Sequence, residues 1–112
     1  RLNRKFMKII LAEEEINMLT SFANISKVEG SIGSMFGFAR KISTGAASFT
    51  DIVNIYYYMQ DGTSYTQEKI AEKIQADGLI KHLEQVAKLL TSIFSGNKTA
   101  QDTKKKEIDP LI

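Results

Sequence analysis

The chain has no cysteine and only one histidine, His82, in 112 residues. Without thiols it can form neither a disulfide framework nor a thiolate metal site. The longest apolar stretch, Met7 to Ala12, is interrupted by Lys8 and is far too short to cross a bilayer. The formal net charge of +2 is too small to imply nucleic acid by itself. No signal-peptide pattern is present. The chain begins at Arg1 rather than Met, which leaves room for a preceding segment. A cytosolic compartment fits a thiol-free composition.

What is present has ordinary globular proportions, with 43% hydrophobic and 25% charged residues. The length corresponds to one domain with a modest core. In residues 1–22, Phe6, Lys8 and Ile10 alternate with Met7, Ile9 and Leu11. After Ala12-Glu13-Glu14-Glu15, residues Ile16, Met18, Thr20 and Phe22 recur every second position. Such alternation on both sides of a polar stretch predicts a β-hairpin. The Leu, Ala, Glu and Met there also suit a helix, and the connection holds neither Gly nor Asn.

From Ala23 the period becomes helical. Ile25, Val28 and Ile32 share one face, and Gly30 to Gly33 ends the segment. Met35, Phe36, Ala39 and Ile42 make a second helix, closed by Gly45 in the left-handed position. Ser48-Phe49-Thr50-Asp51 reads as a capping box for a third helix, with Ile52, Ile55, Tyr56 and Met59 facing inward. A fourth helix starts at Ser64 or Thr66, buries Ile70, Ala71 and Ile74, and breaks at Asp77-Gly78. Leu79, Leu83, Val86, Leu90 and Ile93 give the fifth its apolar stripe. The predicted core is Ile25, Val28, Phe36, Ile52, Ile55, Leu83, Val86, Leu90 and Ile93. Residues 96–112, with Lys104, Lys105 and Lys106, read as a flexible, disordered basic tail. The predicted fold is mainly α: a bundle of about five short helices over residues 1–95, with an N-terminal β-hairpin over 1–22 as its α+β variant.

No set of residues points to catalysis. His82 lies at the polar edge of the fifth stripe, where a surface or half-buried histidine is expected. Glu13, Glu14 and Glu15 are consecutive and do not converge on one ion, so a solvated turn is expected. Ser95 to Thr99 lacks the leading glycine and the preceding strand of a P-loop. No cofactor or metal is expected, nor an enzyme. Tyr56, Tyr57 and Tyr58 point about 100° apart on a helix, so at least one faces outward, and exposed tyrosines favour protein contacts. Thr66 to Ile74 resembles the first helix of a DNA-binding helix-turn-helix. The glycine normally four residues after Ala71 is replaced by Gln75, and Gly78 comes three later.

The run Phe22-Ala-Asn-Ile-Ser-Lys-Val-Glu29, then Gly30 to Gly33 and Phe38-Ala-Arg-Lys-Ile-Ser-Thr-Gly45, is similar to the tail assembly chaperones of tailed phages and gene-transfer agents. So are Ser48-Phe-Thr-Asp-Ile-Val53, Glu68 to Ile74, Asp77-Gly78-Leu79 and Val86-Ala-Lys-Leu-Leu90 through Gly96. The match spans about Ile16 to Gly96, carried by motif order and spacing. It departs at the front, where the family shows a glycine-containing hairpin and this chain has Ala12 to Glu15. The resemblance implies a non-enzymatic cytoplasmic helper that binds a tape measure protein, assists tail tube subunits and is absent from the finished particle. Homo-oligomerisation is compatible with it. Phe38, Tyr57, Tyr58 and Lys104, Lys105 and Lys106 are the expected contact residues.

Overall fold

The structure, a computed structural model, describes residues 6–95. It begins with an antiparallel hairpin, β1 (Phe6–Leu11) and β2 (Glu14–Leu19), in the register Leu11 opposite Glu14 and Ile9 opposite Ile16. Five helices follow: α1 (Phe22–Ile32), α2 (Met35–Thr44), α3 (Phe49–Met59), α4 (Gln67–Asp77) and α5 (Leu79–Ser95). The expected helical domain with an N-terminal hairpin is therefore present, while the expected tail lies outside the described residues.

Local chemistry explains most boundaries. Four helices start at a Ser or Thr whose side chain accepts from a backbone N–H three residues on: Ser21, Ser34, Ser48 and Thr66. These caps satisfy donors that the first turn leaves without partners. Gly45 ends α2 at φ 80° and ψ 14°, the left-handed position in which a Cβ is disfavoured. The hairpin turn departs from ordinary chemistry. Ala12 and Glu13 have φ of 52° and 72°, values usually supplied by Asn-Gly.

One hairpin face is buried through Ile9, Leu11, Ile16 and Met18, while Lys8, Ile10 and Glu15 face outward. The hairpin rests on α3 and α4, α1 packs against α3, and α2 packs against α5. Val28, Ile52, Ile55, Tyr56, Met59, Ile70, Ile74, Val86 and Leu90 complete most of the core. Ile25, Leu83 and Ile93 are half-buried against it.

Two helices are turned differently from the sequence-based expectation. In α2, Phe36 is 71% exposed and Phe38 is buried. Met35, Phe38, Ala39 and Ile42 form the inward i, i+3, i+4, i+7 set, and Phe36 projects about 100° away from Met35. In α5 the inward face is His82, Val86, Leu89 and Leu90, while Leu79 is exposed. This helix is rotated toward His82 because that ring finds hydrogen-bond partners inside, which an apolar stripe does not anticipate.

Leu90→Ala is expected to lower the unfolding free energy by about 2–5 kcal/mol, measured by urea denaturation. Glu13→Gly is expected to raise it by up to about 1 kcal/mol, because glycine removes the left-handed cost at the turn and loses part of that gain to its freedom when unfolded.

Candidate functional site

The centre of the molecule holds a chain of polar side chains. Gln85 Nε2 donates to the Tyr56 hydroxyl at 2.9 Å, and the hydroxyl lies 2.8 Å from His82 Nδ1. His82 Nε2 lies 2.6 Å from Asp77 Oδ2, which also accepts from the Ala12 backbone N–H at 2.9 Å. With Nε2 protonated and Nδ1 bare, each donor in this chain has an acceptor: Gln85 to Tyr56, Tyr56 to His82, His82 to Asp77. Gln85 also holds both backbone groups of Ile10, accepting from its N–H at 2.8 Å and donating to its carbonyl at 3.0 Å.

Burial pushes the Tyr56 hydroxyl pKa upward. The Ala12 N–H, followed by His82, holds the Asp77 carboxyl below the usual carboxylate range. At the hairpin, the Tyr65 hydroxyl and then Lys73 lower Glu14 in the same way. An Asp-His-Tyr series has the elements of a proton relay, but Tyr56 and His82 are fully buried and cannot touch a substrate. What it does is tie β1, α3, α4 and α5 together. The sequence reading missed it and placed His82 at the surface edge. The available signal was the spacing: Asp77 and His82 flank the α5 start, and Gln85 lies one turn after His82.

Accessible chemistry lies on the helix surfaces. The rings of Phe36 and Phe94 stack with centroids 4.4 Å apart and planes 9° apart, and both remain exposed. Beside them, between α2 and α5, runs a groove of about 200 Å³ lined by Ala39, Ile42, Ala87, Leu90, Thr91 and Phe94. A second depression of about 320 Å³ lies between α3 and α4, around Phe49, Val53 and Ala71. Phe22 and Ile80 stand almost free of neighbours. Among the described residues no group of acids and histidine is placed to hold a metal ion, and no helix is long and apolar enough to cross a membrane.

The expected contact residues do not converge. Phe38 is buried in the core and is not available at the surface, because the α2 inward face passes through it. Tyr57 and Tyr58 are half-buried and meet edge-to-face at 5.0 Å. Lys104, Lys105 and Lys106 lie outside the described residues. Phe36, assigned to the core from sequence, is instead the most accessible part of an aromatic surface. The helices expected to resemble a helix-turn-helix are joined by Gly78 alone, whereas that motif uses a turn of about three to four residues.

The lowered pKa of Asp77 gives a pH signature. A carboxylate with a folded-state pKa below its unfolded value contributes its full stability above that unfolded value, about pH 4, and loses it as pH falls through the folded value. Asp77→Asn is expected to destabilise the protein at neutral pH and to flatten its acid dependence below about pH 4. The Glu14 contribution remains in both proteins. Urea titrations at neutral and acid pH measure the difference, and parallel pH curves for the two proteins would rule out Asp77 as the source.

Comparison of the chain with protein-family models, curated proteins and solved structures finds no match, so its function is read from its own residues.

Proposed function

We propose that this chain is a tail assembly chaperone of a phage or gene-transfer agent. It acts in the cytoplasm of the producing cell, binds the tape measure protein and assists assembly of tail tube subunits. The observation carrying this reading is the exposed Phe36–Phe94 stack beside an open apolar groove, on a chain whose Tyr56 and His82 are buried away from solvent. Tape measure proteins are long and helical, and their apolar faces need covering until assembly. A small domain offering apolar faces between helices suits that task. The order and spacing of the motifs from Ile16 to Gly96 support the same reading. It assigns the chain no catalytic step and no cofactor.

Co-expression provides the test. The tape measure protein encoded beside this chain is expected to become more soluble in its presence and to co-purify with it. Equal solubility with and without the chain, and no recovered complex, would reject the proposal.

A further inference from the structure

The groove between α2 and α5 has features that specify its occupant. Its volume of about 200 Å³ is below the range of about 300–1,000 Å³ typical of small-molecule cavities. It is bounded by two helices running in opposite directions, since Phe36 opens α2 and meets Phe94 near the end of α5. Ala39 and Ala87 line it with only a methyl group each, which leaves room for a third helix to approach closely. Ile42 and Leu90 form its apolar floor, and the stacked rings close one end. This is the geometry of a helix-in-groove contact, in which one large side chain anchors an amphipathic helix.

Charge defines the flanks of that helix. Arg40 lies one turn after Phe36, Lys88 lies six residues before Phe94, and both are exposed. Neither has a carboxylate partner among the described residues. Lys41, by contrast, lies 4.0 Å from Asp51. The opposing charge on this side of α5 is Glu84, one turn before Lys88. The sequence that continues from α5, residues 96–112, carries four lysines against Asp102, Glu107 and Asp109. Its net positive charge and its block of Lys104, Lys105 and Lys106 make the chain's own continuation a poorer electrostatic match for these rims than an acidic partner helix.

From this geometry we infer that the α2–α5 groove seats a single amphipathic helix of the partner, anchored by a bulky apolar side chain and bearing acidic residues on its flanks. The inference deepens the chaperone reading by naming the chemistry of the segment bound.

The test uses the full chain and two fluorescein-labelled synthetic peptides of about five helical turns. Both carry Leu at i, i+3, i+4 and i+7; one has Glu flanks and the other Lys flanks. Fluorescence anisotropy is expected to show the Glu peptide binding at least about tenfold more tightly. Phe36→Ala and Ala87→Arg are each expected to weaken that binding about tenfold or more. Arg40→Glu combined with Lys88→Glu is expected to reverse the preference between peptides. Phe22→Ala, which removes an exposed aromatic on α1, is expected to leave binding unchanged. Thermal melts check folding; if Ala87→Arg unfolds the chain, Phe36→Ala carries the test because its ring is exposed.

Equal binding of both peptides, or no effect of Phe36→Ala, overturns the inference. So does a dimer in sedimentation that Phe36→Ala dissolves, which would make a second copy the occupant. A gain in affinity on truncation after Ser95 would assign the groove to the chain's own continuation and overturn it as well. If the tape measure protein is solubilised but the Glu peptide fails to bind, the groove assignment alone falls. If the Glu peptide binds but the tape measure protein is not solubilised, only the tail chaperone reading falls.

Discussion

The Asp77 carboxylate is the point on which the arrangement depends. One of its oxygens accepts from Ala12 in the hairpin turn and from His82 in α5, while Asp77 itself is the last residue of α4. A turn built from Ala and Glu in left-handed conformations is unfavourable alone. The bond from Ala12 helps hold it, and Glu14, Tyr65 and Lys73 support its far side. The same carboxylate gives the buried imidazole an acceptor, so His82 can occupy a core position otherwise suited to an aliphatic residue. Strain at one end and polarity at the other are accommodated by one group.

The division between interior and surface follows from this. Once α5 turns His82 and Leu89 inward, Leu79, Ile80 and Phe94 move toward solvent. Once α2 buries Met35 and Phe38, Phe36 has nowhere to go but outward, where it meets Phe94. The exposed aromatic surface is thus the geometric counterpart of two inward faces set by packing and hydrogen bonding. A few hydrogen-bonded polar groups, His82 and Tyr56 among them, sit inside the molecule, and apolar contact area is left on part of the outside.

Much of the fold is legible in the residues. Ser48 and Thr66 mark helix starts, Gly45 and Gly78 mark helix ends, and Ile52, Ile55, Tyr56 and Met59 show the face of α3 directly. The hairpin was visible in the two-residue alternation even though its turn lacks the expected residues, because Asp77 supplies from a distance what Asn-Gly supplies locally. Phase within a short helix was harder to read. In α2, Phe36 and Phe38 are both large and apolar, so composition does not choose between them; the contacts of Met35 and Ile42 do. His82 was misplaced because a polar side chain in a core depends on partners elsewhere in sequence, here Tyr56 and Asp77. The exposed surface was harder still, since Phe36 and Phe94 come from helices far apart along the chain.

Gln85 completes the relay, and its grip on Ile10 has a separate consequence. A ribbon of two strands rich in Ile, Leu and Met has an outer edge able to template pairing between molecules. The Gln85 carboxamide occupies the outward N–H and carbonyl of Ile10 as a neighbouring strand would, and the Lys8 charge stands two residues further along. On the other strand, the Asp61 N–H covers the Asn17 carbonyl. Sheet growth is therefore blocked by a side chain borne on a helix rather than by proline or by a long charged strand. Cover of this strand edge is coupled to the docking of α5: any event that loosens the helix also uncovers the Ile10 backbone.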